Sequence, residues 1–203
     1  MSAFDKIIGY DHIKAELMQI SDMIHHPEVY AALEAKLPQG LLLSGEPGLG
    51  KTLMATALME DSGLPCFTVR RSQAEDEFLK QLAHTFDEAA EAAPSMLLLD
   101  DMDKFSSDEF STAAFTAAQS CIDKVQGKRV FVIATVNDKD NLPDSLLRCG
   151  RFDRQIEVQR PNCTDGEQII RRYLSGKAPV PDISLSDLTQ LLSHSSCAQV
   201  ESA

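Results

Sequence analysis

Nowhere along its 203 residues does the chain carry an apolar run approaching the ~20 residues needed to cross a bilayer. Its first residues lack the succession of basic, apolar and small residues that marks a secretory leader. Cysteine is sparse and scattered: Cys66, Cys121, Cys149, Cys163 and Cys197 are odd in number and include no C-x-x-C pair. That pattern argues against a disulfide framework or a structural zinc site, and fits a reducing cytoplasm. Basic residues are outnumbered, 19 against 31 acidic, for a formal net charge of -12. A broad nucleic-acid-binding face needs the opposite balance. No His-Glu-x-x-His occurs, so this segment shows no zinc-protease centre. Internal repeats and low-complexity tracts are also missing. What remains, 43% hydrophobic and 25% charged, is the composition of a soluble globular chain with one good core and a small appendage.

Against these absences stands Gly45-Glu46-Pro47-Gly48-Leu49-Gly50-Lys51-Thr52, which fits G-x-x-x-x-G-K-T. Glycines let such a loop turn tightly and aim its N–H groups at phosphate oxygens. Lys51 has the reach for β- and γ-phosphates, and the Thr52 hydroxyl suits Mg²⁺. The apolar run over 40–44 predicts a buried parallel strand before the loop. Residues 53–60 predict a helix after it, whose N-terminus favours anions.

Strand and helix signals alternate through the first three-quarters of the chain. Helices are predicted over 11–24, 27–36, 73–92 and 108–125, and strands over 66–69, 96–99, 130–136 and 154–158. Alternation of this kind implies an α/β fold, a parallel sheet with helices on both faces. Ligands then bind beyond the carboxyl ends of the strands. The loop at 45–52, the Asp100-Asp101 pair and Asn137 all fall at such ends. After Pro161 the strand signal stops. Residues 165–174 and 184–193 predict two short helices, so a core over 1–160 and a helical appendage over 161–203 are expected.

The acid pair follows Met96-Leu97-Leu98-Leu99, a buried strand with a carboxylate at its tip. Asp100 is placed to orient Mg²⁺ or its waters, and Asp101 to polarise an attacking water. Three further segments carry a resemblance. They are Phe4-Asp5-Lys6-Ile7-Ile8-Gly9-Tyr10, Ile133-Ala134-Thr135-Val136-Asn137, and the arginine-rich run from Leu142 through Arg148, Cys149, Gly150 and Arg151 to Arg154. In this order the segments resemble the AAA subgroup of AAA+ ATPases, which includes membrane-anchored AAA proteases and proteasomal ATPases.

The resemblance covers nearly the whole chain. It implies a P-loop NTPase fold, a three-layer α/β/α sandwich followed by a helical lid, binding ATP with Mg²⁺. Ile8 and Gly9 would lie over adenine, and Pro47, Gly48, Leu49, Gly50, Lys51, Thr52 and Leu53 would cradle the nucleotide. Thr52 and Asp100 would hold the metal. Asp101 and Asn137 would position water, while Arg148 and Arg151 would reach into a neighbouring subunit's site. Tyr173 would fall near the base, where it either stacks on adenine or packs in a small core. The segment Ser196-Cys197-Ala198-Gln199 would begin a further lid helix, and a chain stopping at Ala203 would leave that lid incomplete. A homo-oligomeric ring, hexameric on family precedent, is implied, acting on proteins rather than nucleic acid and without membrane contact from this segment.

Three departures bear on activity. Asp101 stands where the family usually has Glu, and Cys149 where Pro is common. The aromatic triplet that grips polypeptide in threading relatives has only Phe78-Leu79-Lys80 as a counterpart, residues that suit a helix core equally well. A nucleotide-binding switch or assembly subunit with weak hydrolysis is therefore the alternative to a remodelling ATPase.

Overall fold

A computed structural model describes residues 2–35, 38–71, 75–105, 113–148, 150–174 and 197. Five parallel strands form one sheet: β1 (Gly40–Ser44), β2 (Cys66–Arg70), β3 (Ser95–Asp100), β4 (Val130–Val136) and β5 (Arg154–Glu157), in the spatial order β2-β3-β4-β1-β5. The helices are α1 (Asp11–His25), α2 (Pro27–Ala32), α3 (Lys51–Ser62), α4 (Glu75–Glu91), α5 (Ala113–Val125) and α6 (Cys163–Leu174). The predicted α/β fold with a parallel sheet is the one observed.

The continuous apolar runs explain the strand order. Every residue of β1, β3 and β4 is buried, as central strands covered on both faces must be. Strands β2 and β5 are mostly exposed and lie at the edges. Side chains alternate across the sheet. Leu41, Leu43, Met96, Leu98 and Ile133 pack into one cluster with Ile13, Leu17, Met54 and Leu58. Leu42, Leu97, Leu99, Val132 and Ala134 pack into a second with Phe78, Leu82, Phe115 and Ile122. The three layers are thus α1 and α3, the sheet, then α4 and α5. Each fully buried Leu of β1 contributes on the order of 2 kcal/mol.

Element ends shifted by a few residues, for physical reasons. Helix α2 stops at Ala32, short of the expected residue 36, because the chain turns and Glu34 takes a left-handed conformation (φ 56°). Helix α3 begins at Lys51, two residues early, since Gly50 at φ 89° serves as its N-cap. Strand β3 includes Asp100, and the chain leaves it through Asp101 at φ 54°. Helix α6 starts at Cys163 and packs Ile169 and Ile170 on the α1/α3 side of the core. The expected helix over 184–193, Cys149, residues 108–112, and positions 196, 198 and 199 lie outside the described residues. No helix among the described residues is long and apolar enough to cross a membrane.

The segment Phe78-Leu79-Lys80 belongs to the core. Phe78 is 0% exposed within α4 and meets Phe105 edge-on at 4.8 Å between ring centroids. Leu79 packs against the same cluster. A buried ring cannot grip a passing polypeptide, so the core reading of this triplet holds. Phe78→Leu, which keeps a hydrophobe but loses the edge contact, will lower the unfolding free energy by about 1–2 kcal/mol in urea titrations.

Candidate functional site

Strand β1 delivers the chain to the loop at residues 45–52. At Ser44 it is clamped from both sides: Ser44 O accepts from Val158 N (2.7 Å), and Gly45 N donates to Val136 O (3.2 Å). Gly45 sits at φ 148°, and a Cβ there would lie 2.1 Å from the Val158 carbonyl oxygen. Only glycine fits, so the first residue of G-x-x-x-x-G-K-T is fixed by a backbone contact as well as by ligand chemistry. Pro47 and Gly48 are exposed at the loop's crest, whereas Leu49 is buried beneath it.

Lys51 opens α3 and is buried. Its Nζ donates to Gly45 O (2.6 Å), Glu46 O (2.8 Å) and Asn137 Oδ1 (3.1 Å). Burial lowers the ammonium pKa, and the fields of Asp101, Asp103 and Asp100 oppose that fall. Thr52 Oγ1 donates to Asp100 Oδ1 at 2.8 Å. The loop, α3 and the tip of β3 therefore meet at one carboxylate.

Asp100 is nearly fully buried. Burial by itself would raise its carboxyl pKa. Hydrogen bonds from Thr135, Thr52 and Arg70 outweigh that cost and hold the carboxyl below its ordinary value. Thr135 Oγ1 donates to Asp100 Oδ1 (2.8 Å) and accepts from Asp101 N (2.9 Å). Asp100 Oδ2 is ion-paired with Arg70 Nη2. The Asp101 carboxylate is held by Lys104 Nζ at 2.8 Å. Asn137, one residue past β4, uses its second group to donate from Nδ2 to Asp103 Oδ2 (2.9 Å). Among the described residues, Asp103 Oδ1 is the one buried side-chain oxygen left without a hydrogen-bond partner.

A second pocket adjoins the loop. Ile8, Tyr10, Leu49, Leu53, Tyr173 and Cys197 are among its lining residues, together with Gly50. Gly9 takes φ 68° and lies against Asp165, where an added Cβ would be 3.0 Å from that side chain's Cβ. The Asp165 carboxylate accepts from Tyr10 N (2.8 Å), pinning α6 to the N-terminal segment. Tyr173, on the same helix, packs against the α1/α3 core and lines this pocket. The pocket is apolar and flanked by aromatic side chains, surroundings suited to a flat heterocycle.

The two arginines lie apart from this cluster. Arg148 is exposed. Arg151 is folded back on α5: Nε and Nη2 each donate to Asp123 at 2.8 Å, and Nη1 donates to Ser145 O. Among the described residues neither arginine hydrogen-bonds to the phosphate loop, Asp100, Asp101 or Asn137.

Sequence reasoning expected Lys51, Thr52, Asp100 and Asn137 at one place, and in the structure Lys51 hydrogen-bonds Asn137 and Thr52 hydrogen-bonds Asp100. It missed Arg70, Asp103, Lys104 and Thr135. Two of these carried a signal. Asp103 makes a third acid within four residues, and Thr135 is the one hydroxyl in an otherwise apolar strand. Arg70 and Lys104 carried none, because charged residues at strand ends and in turns are ordinary.

The oxygen donors Thr52 Oγ1 and Asp100 Oδ1 suit a small hard cation such as Mg²⁺, which takes few protein ligands and fills its shell with phosphate and water.

Residues 41–160 match the family model described as "ATPase family associated with various cellular activities (AAA)". The chain is 32% identical over 209 residues to the ATP-dependent zinc metalloprotease FtsH of Ureaplasma parvum, covering 98% of this chain and 29% of that protein. Malacoplasma penetrans FtsH is 32% identical over 212 residues, covering 98% and 26%. FtsH 1 of Thermomicrobium roseum is 32% identical over 212 residues, covering 98% and 32%. The chain thus spans less than a third of the length of these relatives. Matched across most of its length by the family model, and along nearly all of it by these relatives, the chain belongs to the AAA family of ATPases.

Proposed function

We propose that this chain binds ATP·Mg²⁺ at residues 45–52 and hydrolyses it within a ring of like subunits, six on family precedent, to remodel proteins or protein assemblies in the cytoplasm. The observation that carries the proposal is two adjacent hydrogen-bonded pairs, Lys51 with Asn137 and Thr52 with Asp100, where the loop at residues 45–52 meets the ends of β3 and β4. In this reading residues 1–160 form the ATPase core and 161–203 part of a lid.

Each residue's part follows from its surroundings. Lys51 exchanges the carbonyls of Gly45 and Glu46 for β- and γ-phosphate oxygens, a gain because those oxygens are charged. Backbone N–H groups of the loop and the first turn of α3 add fixed positive dipoles. Thr52 and Asp100 hold Mg²⁺, which neutralises charge that develops on the phosphates. Asn137 bridges Lys51 and Asp103, which places its amide between the phosphate side and the acid side of the site. Asp101 orients and deprotonates the attacking water. Ile8, Gly9, Pro47, Gly48, Leu49, Gly50, Leu53 and Tyr173 enclose the base, the ribose and the loop face. Arg148 and Arg151 complete the site of the adjacent subunit, for which Arg151 must leave Asp123.

A slow switch is the second reading, favoured by the Asp101–Lys104 pair, which occupies the carboxylate proposed as base.

Ring action has a direct test. Turnover per subunit will rise with protein concentration. Mixing Arg151→Ala with Lys51→Ala subunits will restore part of the lost rate, because each retains what the other lacks. Concentration-independent turnover without rescue would establish a self-contained site.

A further inference from the structure

We propose that Arg70 is a positioning residue that competes with Mg²⁺ for Asp100, and so sets the metal concentration at which nucleotide binds tightly. The inference rests on the reading of Asp100 as the metal-side carboxylate.

The argument begins with the register of the sheet. Arg70 is the last residue of β2 and pairs directly with Asp100, the last residue of β3. Neighbouring parallel strands thus bring a guanidinium and a carboxylate together at the sheet's carboxyl edge. Asp100 divides its two oxygens. Oδ1 accepts from Thr52 and Thr135, each at 2.8 Å, and Oδ2 takes Arg70. The nearby ammonium does not serve this carboxylate, because Lys51 is spent on Gly45, Glu46 and Asn137. Arg70 is therefore the direct counter-charge of a carboxylate whose side chain is only 3% exposed.

A buried carboxylate requires such a partner. A divalent ion brought by the nucleotide is a stronger one, and its oxygen shell must include or order water around the same carboxylate. Two cations then contend for one carboxylate. The side chains differ in freedom: Asp100 is fixed by two hydroxyls, while Arg70 is 59% exposed and can swing into solvent. Arg70 leaves and Asp100 stays. Until the metal arrives the arginine partners Asp100 while the two hydroxyls keep it aimed, so no rearrangement of β3 is needed.

The test titrates free Mg²⁺ at fixed ADP and reads ADP affinity by calorimetry and ADP-dependent stabilisation by thermal melting, so no turnover is required. In Arg70→Gln the Mg²⁺ midpoint will fall about tenfold, the scale of losing a charge-assisted competitor. Arg70→Lys, which restores the charge, will sit close to wild type. Without ligand Arg70→Gln will melt below wild type, because it leaves a buried carboxylate without its counter-charge, and Arg70→Lys will melt closer to wild type; each ligand shift is read against that protein's own baseline. An unchanged midpoint in Arg70→Gln, alongside a normal Mg²⁺ response in wild type, overturns the competition alone. Weaker ADP binding by Arg70→Gln without Mg²⁺ also overturns it, since that would mean the guanidinium binds phosphate. A wild-type protein whose ADP affinity ignores Mg²⁺ overturns the metal-side reading of Asp100 and this inference with it.

Discussion

Lys51→Ala will weaken ATP binding by about 10²–10³-fold while leaving the fold intact. Removing one partner from a desolvated charge pair costs about 2–5 kcal/mol of binding, and here the other partner is the triphosphate. The change should disturb folding little, because two effects oppose each other. Gly45 O, Glu46 O and Asn137 Oδ1 lose a donor, which destabilises. A buried ammonium, whose desolvation is large enough to lower its pKa despite three nearby aspartates, is also removed, which relieves the native state. Calorimetry with ATP and Mg²⁺, beside urea unfolding of the same samples, separates affinity from stability. Equal ATP affinity in the two proteins would end the assignment of residues 45–52 as the phosphate cradle.

How much of this was legible beforehand depended on what each residue's environment contributes locally. The central strands were readable because burial on both faces forces continuous apolar runs, as in Leu41-Leu42-Leu43 and Met96-Leu97-Leu98-Leu99. The tight loop at residues 45–52 was readable because its glycines serve a backbone that other residues do not supply; at Gly45 the obstacle is the carbonyl of Val158, 113 positions away. Element ends were less readable, since Glu34 after α2 and Asp101 after β3 adopt left-handed backbone without being glycine. Contacts made only by folding could not be read at all. That Arg70 faces Asp100 follows from β2 lying beside β3, a fact of sheet order rather than of sequence. Likewise Asp165 looked like an ordinary first-turn acid of α6, yet it reaches 155 positions back to Tyr10 N. Phe78 shows the reverse case: its place in a helical stretch admitted two uses, and tertiary packing chose the core.

Single-turnover hydrolysis will fall about 10²–10⁴-fold in Asp101→Asn, with Mg²⁺·ATP affinity within about twofold of wild type, the range expected on removing a general base. The backbone of Asp101 is well fixed. It leaves β3 at φ 54° and its N–H is held by Thr135 Oγ1 at 2.9 Å, a contact that Asn retains. Only the carboxylate's charge is lost, so the substitution isolates the chemistry. The reach of that carboxylate is the second question. An Asp side chain ends one methylene, about 1.5 Å, nearer the backbone than Glu. Misplacement on the order of 1 Å can cost ~10²-fold in rate. In addition, Lys104 Nζ holds the carboxylate at 2.8 Å and so occupies an oxygen that would otherwise face the water. Both effects point to slow hydrolysis and a long dwell in the ATP state. Asp101→Glu will therefore speed single-turnover hydrolysis about tenfold or more, and Lys104→Gln will add a smaller gain by freeing the carboxylate. The measurement belongs in a concentrated sample, where the contribution proposed for Arg148 and Arg151 of a neighbouring subunit is available. A slower Glu variant would show that the site is built around the shorter carboxylate, with the left-handed turn at Asp101 as the device that aims it. An Asn variant that hydrolyses at the wild-type rate would remove Asp101 from the chemistry altogether.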